Sequence, residues 1–116
     1  MKENRLLLVL LLLPILIFGQ KNVSITKIIE ADCSSPFVKS VELYVTGSVD
    51  FSTEVQLNYM QNGDAWSAIQ IDFLALGTIT DSFVYIVRDL TLMQAEFPSI
   101  TFDSSNTVVV DTATNG

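Results

Sequence analysis

Phe83-Val84-Tyr85-Ile86-Val87 is the stretch that decides the fold class. All five residues are β-branched or aromatic, and Asp81 and Arg88 bound the run. Because successive strand residues point to opposite faces, such a run offers apolar side chains on both sides and reads as a central, doubly covered strand. It is the best core candidate in the chain. Upstream, Val41, Leu43 and Val45 share one face while Ser40, Glu42 and Tyr44 share the other, the pattern of a half-buried strand that Gly47-Ser48 closes. Val55, Leu57 and Tyr59 then alternate with Glu54, Gln56, Asn58 and Met60, and Ile69, Ile71 and Phe73 with Ala68, Gln70 and Asp72. Asn62-Gly63-Asp64 between them supplies turn chemistry, so this pair reads as a hairpin with a wide loop.

Farther out the signals weaken. Val23 to Glu30 shows only partial alternation, with Val23, Ile25 and Lys27 against Ser24, Thr26 and Ile28, and Asp32 to Pro36 is a turn cluster. Leu74 to Leu76 runs apolar into Gly77 and a Thr/Asp-rich turn. Residues 90 to 97 read as a short helix, capped by Thr91 with Gln94 and stopped by Pro98. A last strand spans Thr107 to Asp111, and the rest is polar. Six or so strands at intervals of roughly 8 to 15 residues, with one short helix, predict an all-β sandwich.

Lys2 and Arg5 precede an apolar run from Leu6 to Phe18, ended by Gly19-Gln20. This is the pattern of a cleaved signal peptide, residues 1–19, followed by one domain over residues 20–116. The 13 apolar residues would rise about 20 Å as a helix, short of the roughly 30 Å of a bilayer core, so the membrane is met only during export. The expected location is secreted or cell-surface. The lone Cys33 cannot close an intramolecular disulfide and reads as a small buried hydrophobe.

The composition, 49% hydrophobic and 16% charged, suits a folded domain. Removing residues 1–19 takes away two of 6 basic and one of 13 acidic side chains, moving the net charge from −7 to −8. Binding a polyphosphate backbone relies on basic excess, so nucleic acid is not an expected partner. The absence of histidine excludes Ser/His/Asp and Cys/His catalysis and any imidazole metal ligand.

Val41-Glu42-Leu43-Tyr44-Val45, continued by Val49-Asp50-Phe51-Ser52, Asn62-Gly63-Asp64-Ala65-Trp66, Phe83-Val84-Tyr85-Ile86-Val87 and Ala95-Glu96-Phe97-Pro98, resembles the lamin-tail-like domains of exported Bacteroidetes-type proteins. The similarity covers about residues 22 to 116 and lies in the order of the pieces. It implies an immunoglobulin-like β-sandwich with no catalytic residues of its own, commonly one module of a longer exported polypeptide beside nuclease, phosphatase or adhesion domains. Such domains continue past an Asn-Gly like Asn115-Gly116 into a further strand. The expectation is therefore a fragment of a longer protein, or a sandwich without its last strand and with an open edge.

Candidate site residues are few. Tyr44 and Trp66, with Tyr59, would form a sugar-stacking platform if they reached one face, although Tyr59 follows Val55 and Leu57 and reads as core. Glu42 and Asp72 would suit glycoside hydrolysis only about 5 to 9 Å apart, and both read as solvated acids. Asp50, Asp64, Asp81, Asp103 and Asp111 offer oxygen ligands for calcium, but no calcium-loop spacing occurs and turn formation explains them. The expected function is a non-catalytic adhesion or accessory module whose partner is a protein or a cell-surface polysaccharide. The alternatives are a fragment of a secreted metal-dependent hydrolase, nuclease or phosphatase, or a carbohydrate-binding module.

Overall fold

The computed structural model describes residues 19–30, 38–59 and 69–110. The leader run, Cys33 and its turn, the hairpin loop with Asp64 and Trp66, and the end from Asp111 lie outside the described residues. Eight strands and one helix are described: β1 Asn22–Glu30, β2 Lys39–Thr46, β3 Ser48–Asp50, β4 Asn58–Tyr59, β5 Ile69–Gln70, β6 Thr78–Thr80, β7 Phe83–Val87, α1 Leu90–Glu96 and β8 Thr107–Val109. β1, β2, β7 and β8 form a four-stranded sheet in that order, antiparallel except for the parallel β7–β8 pair. β3–β6 and β4–β5 are separate antiparallel pairs.

Alternation along β2 and β7 builds the core. Val41, Leu43 and Val45 on β2, with Val84 and Ile86 on β7, pack against Val49, Phe51, Ile71, Phe73, Leu76 and Ile79 of the opposite layer. The other face of β7 carries Tyr85 and Val87, which pack with Met93 of α1 and Phe102. Residues 84–87 are thus buried on an interior strand covered on both sides, Phe83 at its start being exposed, and the described residues are mostly β with one short helix, in a layering compatible with a sandwich.

The two layers are joined at paired corners. Between β2 and β3 only Gly47 intervenes, at φ +73, a conformation that costs an L side chain and in which a Cβ would also stand 3.3 Å from the Gln20 carbonyl. The return from β6 to β7 passes Asp81 at φ 44. Asp81 Oδ1 accepts from the Gly47 amide at 2.7 Å, and the Asp81 amide donates to the Gly47 carbonyl at 3.2 Å. So β2–β7 continues into β3–β6 as one bent ribbon.

Several local expectations need correction. β6 occupies what read as a Thr/Asp-rich turn, because Ile79 alone carries the apolar signal of Thr78–Thr80 and is buried opposite Val49. The expected strands over 54–60 and 68–73 shrink to Asn58–Tyr59 and Ile69–Gln70, although the Ile71 amide adds one bond to the Leu57 carbonyl at 2.9 Å. The hairpin pairing itself is present. In β1 the alternation breaks at a bulge: Ile25 pairs with Leu43 but Lys27 with Glu42, leaving Thr26 extra. Ile28 therefore shares a face with Ile25, and Lys27 with Ile29, which is why the sequence pattern was only partial. Thr26 Oγ1 donates to Glu42 Oε1 at 2.9 Å across the bulge.

The helix cap also differs. Asp89, extended at φ −135 and ψ 113, accepts from the Leu92 amide at 3.0 Å, so it caps α1 in place of Thr91. Gln94 instead reaches past the helix to the Ile100 carbonyl at 2.8 Å and ties down the following loop. A seven-residue helix is marginal alone, and buried Met93 is what anchors it.

Candidate binding face and the acidic turns

The helix-side face of the four-stranded sheet is covered over only part of its length. Pairing registers place Asn22 opposite Thr46, Ser24 opposite Tyr44 and Tyr44 opposite Phe83, so these five side chains share the end of the face away from α1. Tyr44 is half-buried, and Phe83 is 42% exposed. The rings form a chain: Tyr44 meets Phe83 edge-on with centroids 4.9 Å apart, Phe83 stacks on Tyr85 at 6.4 Å and 22°, and Tyr85 meets Phe102 edge-on at 4.9 Å. The last two are buried and the first two open to solvent. Asn22 Nδ2 donates to Ser24 Oγ at 2.9 Å beside them.

Of the expected aromatic platform, Tyr44 stands on this face, whereas Trp66 and the Tyr59 side chain lie outside the described residues. Tyr59 belongs to β4 of the opposite layer. Sequence reasoning missed Phe83, which looked like core because its run is apolar on both faces. The available signal was its place as the first strand residue after Asp81-Ser82, where a covering element on either side can run out.

Glu42 and Asp72 are not brought together. Glu42 lies on the helix side of the sheet near Lys27, Ser40 and Tyr85, around a gap of only about 20 Å³. Burial raises the Tyr85 hydroxyl pKa above its ordinary 10.0, and the Glu42 charge adds to this. Asp72 sits in the opposite layer, accepting from the Leu74 amide at 2.9 Å. A groove of about 420 Å³ runs there between Phe51, Val55, Ile71, Phe73 and Leu74.

The aspartates share a different task. Asp50 Oδ1 accepts from the Ser52 amide at 2.9 Å and its hydroxyl at 2.6 Å, and Asp103 Oδ1 accepts from the Ser105 amide at 2.8 Å and its hydroxyl at 2.5 Å. These bonds, the serine hydroxyl foremost, hold both carboxyls below their ordinary 3.8. Glu54 Oε2 accepts the Asp50 amide at 2.8 Å while Lys21 Nζ donates to Glu54 Oε1 at 2.7 Å, and the lysine lowers the Glu54 pKa. Asp81 closes the Gly47 corner. Each of these carboxylates satisfies backbone donors that a turn leaves without a strand partner. Among the described residues no three Asp, Glu, Cys or His side chains converge as a metal-binding group. No described helix is long and apolar enough to cross a membrane.

Comparison with protein-family models, with curated proteins and with solved structures finds no match for this chain.

Proposed function

We propose that the chain is an exported, non-catalytic β-sandwich of immunoglobulin-like, lamin-tail type, serving as an adhesion or accessory binding module of a longer secreted protein. The observation that carries this reading is the partly covered sheet face. One end is sealed by Met93 and Phe102, while the other leaves Tyr44 and Phe83 at the surface. Exposed aromatic side chains held on a rigid sheet are a common basis for recognition, and their polar edges and apolar faces suit protein or polysaccharide surfaces. The described aspartates fit this reading, since Oδ1 of each accepts from a backbone amide at a turn, a corner or the helix cap.

The test is sedimentation of the exported chain with intact cells and with extracted surface polymers, alongside assays for phosphodiester and phosphomonoester hydrolysis with added divalent cations. Retention without turnover is expected. Cation-dependent turnover in a preparation lacking other enzymes would replace this reading with the hydrolase fragment, and intact-mass analysis showing Met1 retained would remove the export.

A further inference from the structure

We propose that the open end of the helix-side sheet face binds a neutral glycan, with a pyranose ring stacked on Phe83 and hydrogen bonds from Tyr44, Asn22 and Ser24. This rests on the reading of the chain as an exported binding module. Three observations choose the ligand class.

The first is the platform. Phe83 is 42% exposed, yet its ring is in contact with Tyr44, edge-on at 4.9 Å, and with the buried Tyr85, stacked at 6.4 Å. A ring held by such contacts has little rotamer freedom left to lose when something packs on it. The second is the surrounding chemistry. Asn22, Ser24, Tyr44 and Thr46 bring one amide and three hydroxyls to that end of the face, and none of them is charged. Amides and hydroxyls both donate and accept, as sugar hydroxyls do. Of the neighbouring cations, Lys21 is committed to Glu54 at 2.7 Å, and Lys27, next after Ser24 on this face, pairs across the strands with Glu42. With a net charge of −8 after export and none of these five side chains basic, an anionic polymer is disfavoured.

The third is size. A standard protein interface takes about 800 Å² and 20–30 residues from each partner, far more than these five side chains supply. A sugar ring or two needs no more.

The experiment is an NMR titration of the exported chain with neutral gluco-, manno- and xylo-hexaoses, with an oligogalacturonate of equal length as the charged probe. At least one neutral hexaose is expected to bind in the micromolar-to-millimolar range, moving the amide signals of residues 22–24, 44–46 and 83 and leaving those of α1 in place. Phe83→Ala should weaken binding about tenfold or more, since a single ring stacked on an aromatic side chain contributes on that scale. Phe83→Leu keeps apolar bulk on the strand and should lose binding likewise while unfolding near the wild-type temperature. Tyr44→Phe keeps the ring and should weaken binding a few-fold.

The proposal is overturned if no neutral hexaose binds, if the shifts map elsewhere, if the oligogalacturonate binds as well, or if Phe83→Leu binds like the wild type. Failure of the neutral glycans with continued retention on cells would sink the ligand class and leave the binding-module reading standing. Failure of both would sink both.

Discussion

The four-stranded sheet and the layer opposite it are held together by different means. The sheet has strands of 9, 8, 5 and 3 residues, in register but for the bulge at Thr26, whereas the opposite layer has two pairs whose strands run to 3 and 2 residues. In the sheet, ladder hydrogen bonds fix the geometry and the side chains follow. In the opposite layer the side chains come first: Phe51 and Phe73 meet edge-on at 5.3 Å, buried, and beside each a carboxylate turn holds an amide, Asp50 that of Ser52 and Asp72 that of Leu74. The contrast teaches that a sandwich layer can be positioned by a few aromatic anchors and acidic turns with little strand pairing.

The largest effect should come from the aromatic anchor. Phe51→Ala is expected to cost about 3–5 kcal/mol, because a fully buried phenylalanine leaves a cavity that the neighbours fill only in part. Chemical denaturation measures the cost, and amide exchange should show Ile71 losing protection before Leu43. Ile86→Ala, in the sheet, should cost about 2–5 kcal/mol while leaving that order of exchange unchanged. If Phe51→Ala proved nearly neutral, the opposite layer would have to be held by its ladder after all, and the contrast would be broken.

Next in size is the corner that links the layers. Gly47→Ala is expected to cost about 1–2 kcal/mol, the scale of forcing an L side chain into left-handed backbone, and close approach to the Gln20 carbonyl adds to it. Thermal unfolding checks this, and a neutral result would mean that the ribbon bends elsewhere. The helix cap should be a little weaker. Asp89→Ala is expected to cost about 1 kcal/mol and Thr91→Ala much less, since only Asp89 accepts from a first-turn amide. Equal effects would restore Thr91 as the cap.

The smallest expected effect is acid loosening of the opposite layer. Asp50 and Glu54 have pKa values lowered in the folded state, so they contribute stability that is complete above their unfolded values of 3.8 and 4.5 and is lost as pH falls through the lower folded values. Glu54 is exposed and Asp50, though half-buried, keeps its carboxyl open to solvent, so screening should leave the change slight. It should show as faster exchange at Ser52, whose amide is held by Asp50, below about pH 4 while Leu43 stays protected. Uniform loosening would show that acid acts on the whole molecule rather than on these turns.

Burial on a long strand was legible in the sequence, and burial without one was not. Residues 41–45 and 83–87 announced themselves because each holds its face over five positions. Ser48–Asp50 and Thr78–Thr80 each bury one residue, Val49 or Ile79, and a single apolar position has no period to read. The bulge at Thr26 turned a regular strand into a broken pattern, since one extra residue exchanges the two faces beyond it. The binding face was half legible. Tyr44 stood out as an aromatic on a polar face, but Phe83 lay hidden in the chain's most apolar run, and its exposure depends on how far α1 and Phe102 extend over the sheet, a matter of tertiary reach rather than local pattern.

The parallel seat of β8 has a consequence in time. An antiparallel neighbour can be reached through a tight turn, but a strand parallel to β7 cannot, so the chain must first run through α1 and the Asp103 turn before the Tyr85 amide can find the Asn106 carbonyl at 2.8 Å. Closing that long loop has an entropic cost that falls when Met93 docks on Val87 and when Gln94 clasps Ile100, each shortening the free chain that remains. β8 is thus expected to be placed last, on a path that the helix lays down. During that interval β7, the most apolar strand, stands with one edge bare, and the speed of helix docking sets how long it does so.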